Sequence, residues 1–325
     1  MKKILILLVM IFVLFGCKKN KSIEQDFLKN LTNIRSYKAE GLMETFYDDD
    51  RKQSEFTVLY KSPDLYKVVI KNVESEDQQI ILKNKDGVHV LIPSVNKTFK
   101  INSNWPNSSS YPYLLQSLAK DIANEENIVK ITNEKTTEIE TDTFMHTNKN
   151  IVKQKIIFDN ETLIPSEVKV YNKADELYIR VLFENIELDY NINDEEFKID
   201  STIAKIRESY GEEGIVFSDR AFSMPGYFPE GSSLNSQITN SQRAIMKFSG
   251  TYGFTIIQEY VDDAEVISSW EEEGSAVMVF GSVGVLTDHY LKFVYEGIIY
   301  TLASQDINVD ELMKVAASYM VPSEK

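Results

Sequence analysis

The sequence predicts an α+β protein: a strongly curved, antiparallel N-terminal half-barrel covered by helices, followed by a small C-terminal α+β domain. Three observations carry this expectation. Apolar residues alternate with polar ones through most of residues 36–188, the period of strands with one buried face. Helical spacing interrupts that pattern once and precedes it once. The length of 325 residues suits about two domains, and an acidic, glycine-flanked stretch near 200–215 offers the boundary.

Ser22 followed by Gln25 reads as a capping box. Ile23, Phe27, Leu28, Leu31 and Ile34 then form one face of a helix over 23–34. From Ser36 the period becomes two. Tyr37, Ala39, Gly41, Met43, Thr45 and Tyr47 form one run, Phe56, Val58 and Tyr60 a second, and Tyr66, Val68 and Ile70 a third. Ile80–Leu82 and Val88–Ile92 flank Asp86-Gly87, a hairpin signal. A polar loop over 102–110 leads to a second helix. Ser110 suits its N-cap and Pro112 its first turn, with Tyr111, Leu114, Leu115, Leu118 and Ile122 at helical spacing. Strands resume at 128–132, 136–144, 152–158, 168–171 and 177–188. Many strands broken by one internal helix predict a curved antiparallel sheet with helices on one side. After a linker over 201–215, the smaller unit (216–325) offers strands at 245–248, 254–260, 276–280, 292–295 and 298–302. A final helix is opened by Asn308 with Glu311 at its third position.

Composition excludes several functions. The chain carries 35 Lys+Arg against 50 Asp+Glu, a net charge of −15 that lacks the basic footprint of nucleic-acid binding. One cysteine excludes an intrachain disulfide framework and multi-cysteine metal sites. That cysteine stands at the end of an N-terminal export pattern. Met1-Lys2-Lys3 precedes twelve apolar residues, Ile4 to Phe15. The run is too short to span a ~30 Å hydrocarbon core but has the length of a secretory signal. Leu14-Phe15-Gly16-Cys17 resembles a bacterial lipobox, with Phe15 bulkier than usual at its position. This implies a lipoprotein signal peptide over 1–16, lipid attachment at Cys17, and a lysine-rich tether over 17–21. The mature chain would hold 33 Lys+Arg against 50 Asp+Glu, a net charge of −17. Dual acylation holds a protein stably on a membrane, and Lys18, Lys19 and Lys21 would meet anionic headgroups. The expected address is the extracytoplasmic face of the cell membrane.

Catalytic patterns are missing from the sequence. His89, His146 and His289 are scattered, with no HExxH or His-x-His spacing, and no P-loop, GxSxG or GxGxxG is present. His89 alternates within a strand pattern and reads as a half-buried strand residue. Asp48-Asp49-Asp50 lacks the spacing and glycine of a calcium loop and reads as a hairpin tip; Glu271-Glu272-Glu273 reads as another solvated run. The expectation is a non-enzyme with no cofactor and no metal.

The strand and helix order of residues 22–200 resembles the LolA/LolB-like superfamily of lipoprotein carriers. Ser103-Asn104-Trp105-Pro106-Asn107 with Tyr111-Pro112-Tyr113-Leu114-Leu115-Gln116-Ser117-Leu118 is more specific. Together with Asp64-Leu65-Tyr66-Lys67-Val68 and Asn160-Glu161-Thr162-Leu163-Ile164-Pro165, it resembles the YdcC-type and GerS-type sporulation and germination lipoproteins of spore-forming Firmicutes. Residues 216–320 are similar to the second domain of YdcC-type members, through Phe254-Thr255-Ile256-Ile257-Gln258-Glu259, Glu296-Gly297 and Asp310-Glu311-Leu312. The resemblance implies a half-barrel whose concave side is apolar. Tyr37, Met43, Phe56, Tyr60, Tyr66, Val68 and Ile70, with Leu114 and Leu118 on a lid helix, would line a hydrophobic cavity for an acyl chain or a partner's apolar segment. The same side chains would serve equally as plain core beneath the lid. The implied function is a binding or chaperone module in sporulation or germination, held in the outer leaflet of the cytoplasmic membrane, with a cortex-modifying amidase as one partner. In a sporulating cell that location includes the space between the two forespore membranes. A lipid or lipoprotein carrier, or an RseB-like sensor acting on an anti-sigma factor, is the alternative.

Overall fold

The alternation between residues 36 and 188 becomes eleven antiparallel strands, most with one apolar face, while β4 and β5 bury apolar residues on both. They are β1 (Ser36–Tyr47), β2 (Asp50–Lys61), β3 (Leu65–Asn72), β4 (Gln78–Asn84), β5 (Gly87–Ile92), β6 (Lys97–Asn102), β7 (Val129–Thr132), β8 (Thr136–Asp142), β9 (Ile151–Asp159), β10 (Pro165–Asn172) and β11 (Leu177–Leu188). The structure, a computed structural model, describes residues 22–75, 77–95, 97–126, 128–145, 149–210, 221–260, 268–305 and 307–321. β1 to β6 form one meander and β11 back to β7 the other, and β1 joins β11 at the centre. A bulge at Glu40/Gly41 bends this central ladder. Glycine is required there, because a Cβ on Gly41 would sit 1.9 Å from the carbonyl oxygen of Leu182.

Helices α1 (Ile23–Thr32) and α2 (Leu115–Asn124) cover part of the concave face, and Phe27 meets Phe158 edge-on at 5.0 Å. α2 is fastened by a polar strut: Asp121 accepts from Ser110 Oγ at 3.0 Å and from Gln154 Nε2 at 2.7 Å. This corrects the expected N-cap. The helix begins at Leu115 with Leu114 at its cap. Ser110 is drawn to Asp121, while Ser117 Oγ accepts from the Tyr111 amide at 2.7 Å.

The linker expected over 201–215 is also corrected. Through Tyr210 it belongs to helix α3 (Ile199–Tyr210), and residues 211–215 lie outside the described residues. Ile199, Ile203 and Ile206 pack on Ile80, Leu82, Leu91 and Phe197, covering the convex face. Lys205 and Glu208 lie on the solvent side of this amphipathic helix.

The C-terminal unit holds β12 (Ser232–Thr239), β13 (Arg243–Gly250), β14 (Phe254–Tyr260), β15 (Ser268–Glu273), β16 (Ser275–Val279), β17 (Ser282–Leu286), β18 (Tyr290–Tyr295), β19 (Ile298–Ser304) and α4 (Val309–Ala317). Seven of these strands form a second sheet in the order β12-β13-β14-β19-β18-β17-β16. Asn308 caps α4 by accepting from the Glu311 amide at 2.8 Å, as its sequence predicted. β15 leaves this sheet and pairs in parallel with β6, forming an edge of the large sheet. The two units therefore share a sheet.

They also share a core. Ala276, Met278, Val283, Val285, Val294 and Ile299 of the second sheet join the cluster that fills the half-barrel. Gln79 pins them together. Its Nε2 donates to Ser282 Oγ at 2.8 Å and to the Val294 carbonyl at 3.3 Å, and its Oε1 accepts from the Val283 amide. Tyr111 OH adds a bond to the Ala276 carbonyl at 3.3 Å.

Two predictions follow from these fasteners. Gln79→Ala leaves a buried amide unpaired and should lower the unfolding free energy in urea by about 1–3 kcal/mol; an unchanged midpoint would contradict the pin. Burial pushes the Asp121 carboxyl from its ordinary 3.8 up to about 6, against the opposing bonds from Ser110 and Gln154. The folded state then holds that proton more tightly than the unfolded state, so Asp121 weakens the fold as pH rises from about 4 to about 6. Asp121→Asn should gain on the wild type across that window in urea titrations. A difference that does not vary with pH would refute the assignment.

Candidate functional site

The nine residues expected to line a cavity all lie in the core under the two covers of the concave face. Tyr37, Tyr60 and Tyr66 come from adjacent strands in register, Tyr37 opposite Tyr60 and Tyr60 opposite Tyr66. Their rings are 5.3 and 4.9 Å apart. Tyr37 OH donates to Gln116 Oε1 of α2 at 2.8 Å, and burial, then the neighbouring Tyr66, pushes its phenol well above the ordinary value. Phe56 sits beneath Tyr113, and Val68, Leu114 and Leu118 are wholly enclosed. Met43 and Ile70 lie under the other cover, beside Ala276 and Met278 and beside Ser282 and Val294 respectively. The voids that touch Met43 and Ile70 measure about 10 and 30 Å³.

Trp105 closes this core from the loop over 102–110. It stacks edge-on to Tyr66 at 5.4 Å and to Tyr111 at 5.8 Å, fully buried. Sequence reasoning treated that loop as polar linker. The signal it held was a tryptophan among asparagines and serines, a residue too large and apolar to leave in water without cause.

An opening of about 870 Å³, within the 300–1,000 Å³ usual for ligand sites, lies at the end of this core, where Met145, Ile151, Ile179 and Met278 face it. It arises where the central ladder splits. β1 and β11 pair as far as Thr45 opposite Ile179. Beyond that point β1 continues with β2 to Tyr47 opposite Asp50, while β11 continues with β10 to Leu177 opposite Tyr171. The two hairpin tips diverge, and Met278, Phe280 and α4 sit across the gap. Met145, Met278 and Met313 supply a soft floor. Asp48, Asp49, Glu176 and Asp310 stand around it with Lys173 and Lys314. Asp310 joins the two units, accepting from the Lys149 amide at 3.0 Å. None of these groove residues was singled out as a site from the sequence. Asp48 and Asp49 were read as a solvated hairpin tip; both are exposed there, and the packing that makes them a rim comes from residues more than 200 positions away.

Cys17 and the lysine-rich tether lie outside the described residues, as does His146. His89 is buried in β5, where burial and then Lys100 hold its imidazole below the usual value. Among the described residues, no group of three His, Cys, Asp or Glu side chains is placed to hold a metal, and no helix is long and apolar enough to cross a membrane.

Residues 1–197 match the Sporulation protein YdcC-like family, and residues 224–318 match a domain of unknown function, DUF4367. The chain is 31% identical to Sporulation protein YdcC of Bacillus subtilis (strain 168) over 324 residues, 98% of this chain and 96% of the relative. Among solved structures, the MucA/MucB complex of Pseudomonas aeruginosa aligns at 13% identity and a TM-score of 0.34, covering 91% of this chain and 98% of that one. The CwlD amidase of Clostridioides difficile in complex with the GerS lipoprotein aligns at 16% identity and a TM-score of 0.24, covering 55% of this chain and 100% of that one. By the match over its first 197 residues and its identity along nearly the whole length of the Bacillus relative, the chain belongs to the sporulation protein YdcC-like family.

Proposed function

We propose that the protein is a non-enzymatic, lipid-anchored binding module of sporulation that engages a protein partner outside the cytoplasmic membrane and carries no acyl chain. One observation supports this over the carrier reading. The concave face, where an acyl chain would lie, is filled by the chain's own helices and by β16 to β18. Voids of about 10 and 30 Å³ beside Met43 and Ile70 are far below the several hundred Å³ of a ligand site.

Cys17 would carry the lipid, and Lys18, Lys19 and Lys21 would rest on anionic headgroups. The acidic body would be repelled from the same surface and held off it. A partner then has two kinds of structure to read. One is the split between the hairpin tips. The other is the exposed edge strands, β7 with Val129 and Ile131 outward and β12 with Leu234 and Ile238, which suit strand addition. Membership of a sporulation family makes a cortex-modifying amidase a fitting partner class.

Crosslinking and pull-down from sporulating cells of the native host tests this reading. A stoichiometric protein partner is expected with the wild type. Cys17→Ala should release the protein from the membrane fraction, and a Cys17→Ala protein that stayed bound would contradict the anchor. Deletion should impair spore formation or germination; normal spores that germinate at the usual rate would contradict the role.

A further inference from the structure

We propose that the groove between the β1–β2 and β10–β11 tips is the docking site for an extended, cationic segment of a partner protein, one that alternates basic and apolar side chains. This deepens the reading of the protein as a partner-binding module and rests on it.

Three features of the groove define the occupant. The first is backbone geometry. The strands that form the centre of the large sheet stop pairing with each other at Thr45 opposite Ile179, yet each continues in its own hairpin. A strand-like segment entering the gap would run alongside β-structure already in place, which favours an extended chain over a helix or a compact ligand. The second is the floor. Met145, Met278 and Met313 lie at its base, with unbranched thioether side chains that re-pack around different apolar groups. An alternating segment would point one set of side chains down to this floor and the other set out to the rim.

The third feature is charge. Among the described residues, no ion pair neutralises Asp48, Asp49, Glu176 or Asp310. The ion pairs of this region lie elsewhere: Lys314 pairs with Glu311 at 2.8 Å, Arg51 with Glu44 at 2.9 Å, and Lys153 with Asp175 at 2.6 Å. Asp310 is satisfied by amide donors, which leave its charge in place. Lys173 is the counter-charge that remains on the rim. A net charge of −15 over the whole chain adds long-range attraction for a cation. Carboxylates facing each other across an apolar floor repel one another, and a cationic segment lying between them removes that repulsion.

The test uses the soluble Cys17→Ala chain and two short fluorescein-labelled peptides, one alternating lysine and valine and the other glutamate and valine. The lysine peptide should bind saturably and at least tenfold more tightly than the glutamate peptide at low salt, with the gap narrowing in 1 M salt. Hydrogen exchange should show new protection at residues 46–47 and 177–178, beyond the last β1–β11 pair. Asp49→Lys with Glu176→Lys reverses one exposed charge on each tip and should cut lysine-peptide affinity at least tenfold while leaving the unfolding midpoint in place. Equal binding of the two peptides, protection confined to β7 or β12, or an affinity within twofold of wild type in the double variant would each overturn the proposal. So would lysine-peptide binding abolished by anionic vesicles that themselves occupy the groove. Capture of the native partner by the double variant at wild-type yield would reject this groove while leaving the binding-module reading intact.

Discussion

The apolar concave face of a strongly curved sheet must be covered, and how it is covered determines the rest of this structure. Seven of the antiparallel strands present Tyr37, Ala39, Met43, Phe56, Val58, Tyr66, Val68, Val90, Phe99, Ile156 and Val181 to the same core. Burying such a surface is worth on the order of 25 cal/mol per Å². Two short helices are too small to cover twelve strands. The C-terminal sheet supplies the remainder, and Gln79 and Tyr111 pair with backbone groups that it brings into the half-barrel. Without Gln79, the Val283 amide loses a side-chain partner at a cost that offsets part of the gain, while the Val294 carbonyl keeps Ser282 Oγ at 3.0 Å.

This arrangement converts a shape suited to holding a ligand into a solid core and moves the available surface outward. The parallel pairing of β15 on β6 joins the units at one edge, and Asp310 joins them near the opposite end through the Lys149 amide. Between these fastenings the two units share one core, and the exposed features are two edge strands and the split between hairpin tips. Surfaces of this kind recognise other chains.

Much of the architecture was legible in the sequence. Period-two alternation located β1, β2, β3, β5, β9 and β11, Asp86-Gly87 gave a hairpin, and Asn308 with Glu311 marked α4. The elements that escaped lacked that signal for physical reasons. β17 is buried at all five positions, so nothing in Ser282–Leu286 alternates. β12 is exposed along nearly its whole length, so it shows no apolar face. The first part of the expected linker is helix α3, whose charged residues and glycine-flanked end suggested a boundary, whereas Ile199, Ile203 and Ile206 at helical spacing make its contacts. The nine residues named for the cavity all lie in one core, seven of them on the sheet and Leu114 and Leu118 at the second helix. Whether that face held a ligand or the protein itself depended on Gln79, a polar residue inside a strand whose partners lie more than 200 positions away. No local pattern encodes such a contact, and the groove rim at Asp48, Asp49 and Glu176 was hidden for the same reason.

The central claim is that the chain fills its own half-barrel. Native mass spectrometry of the full-length protein, extracted from membranes in mild detergent, tests it most directly. The account predicts a mass equal to the mature chain plus its covalent lipid, with no further acyl ligand released on gentle activation. One non-covalent acyl ligand per chain, lost together with a loosening of β16 to β18, would contradict it.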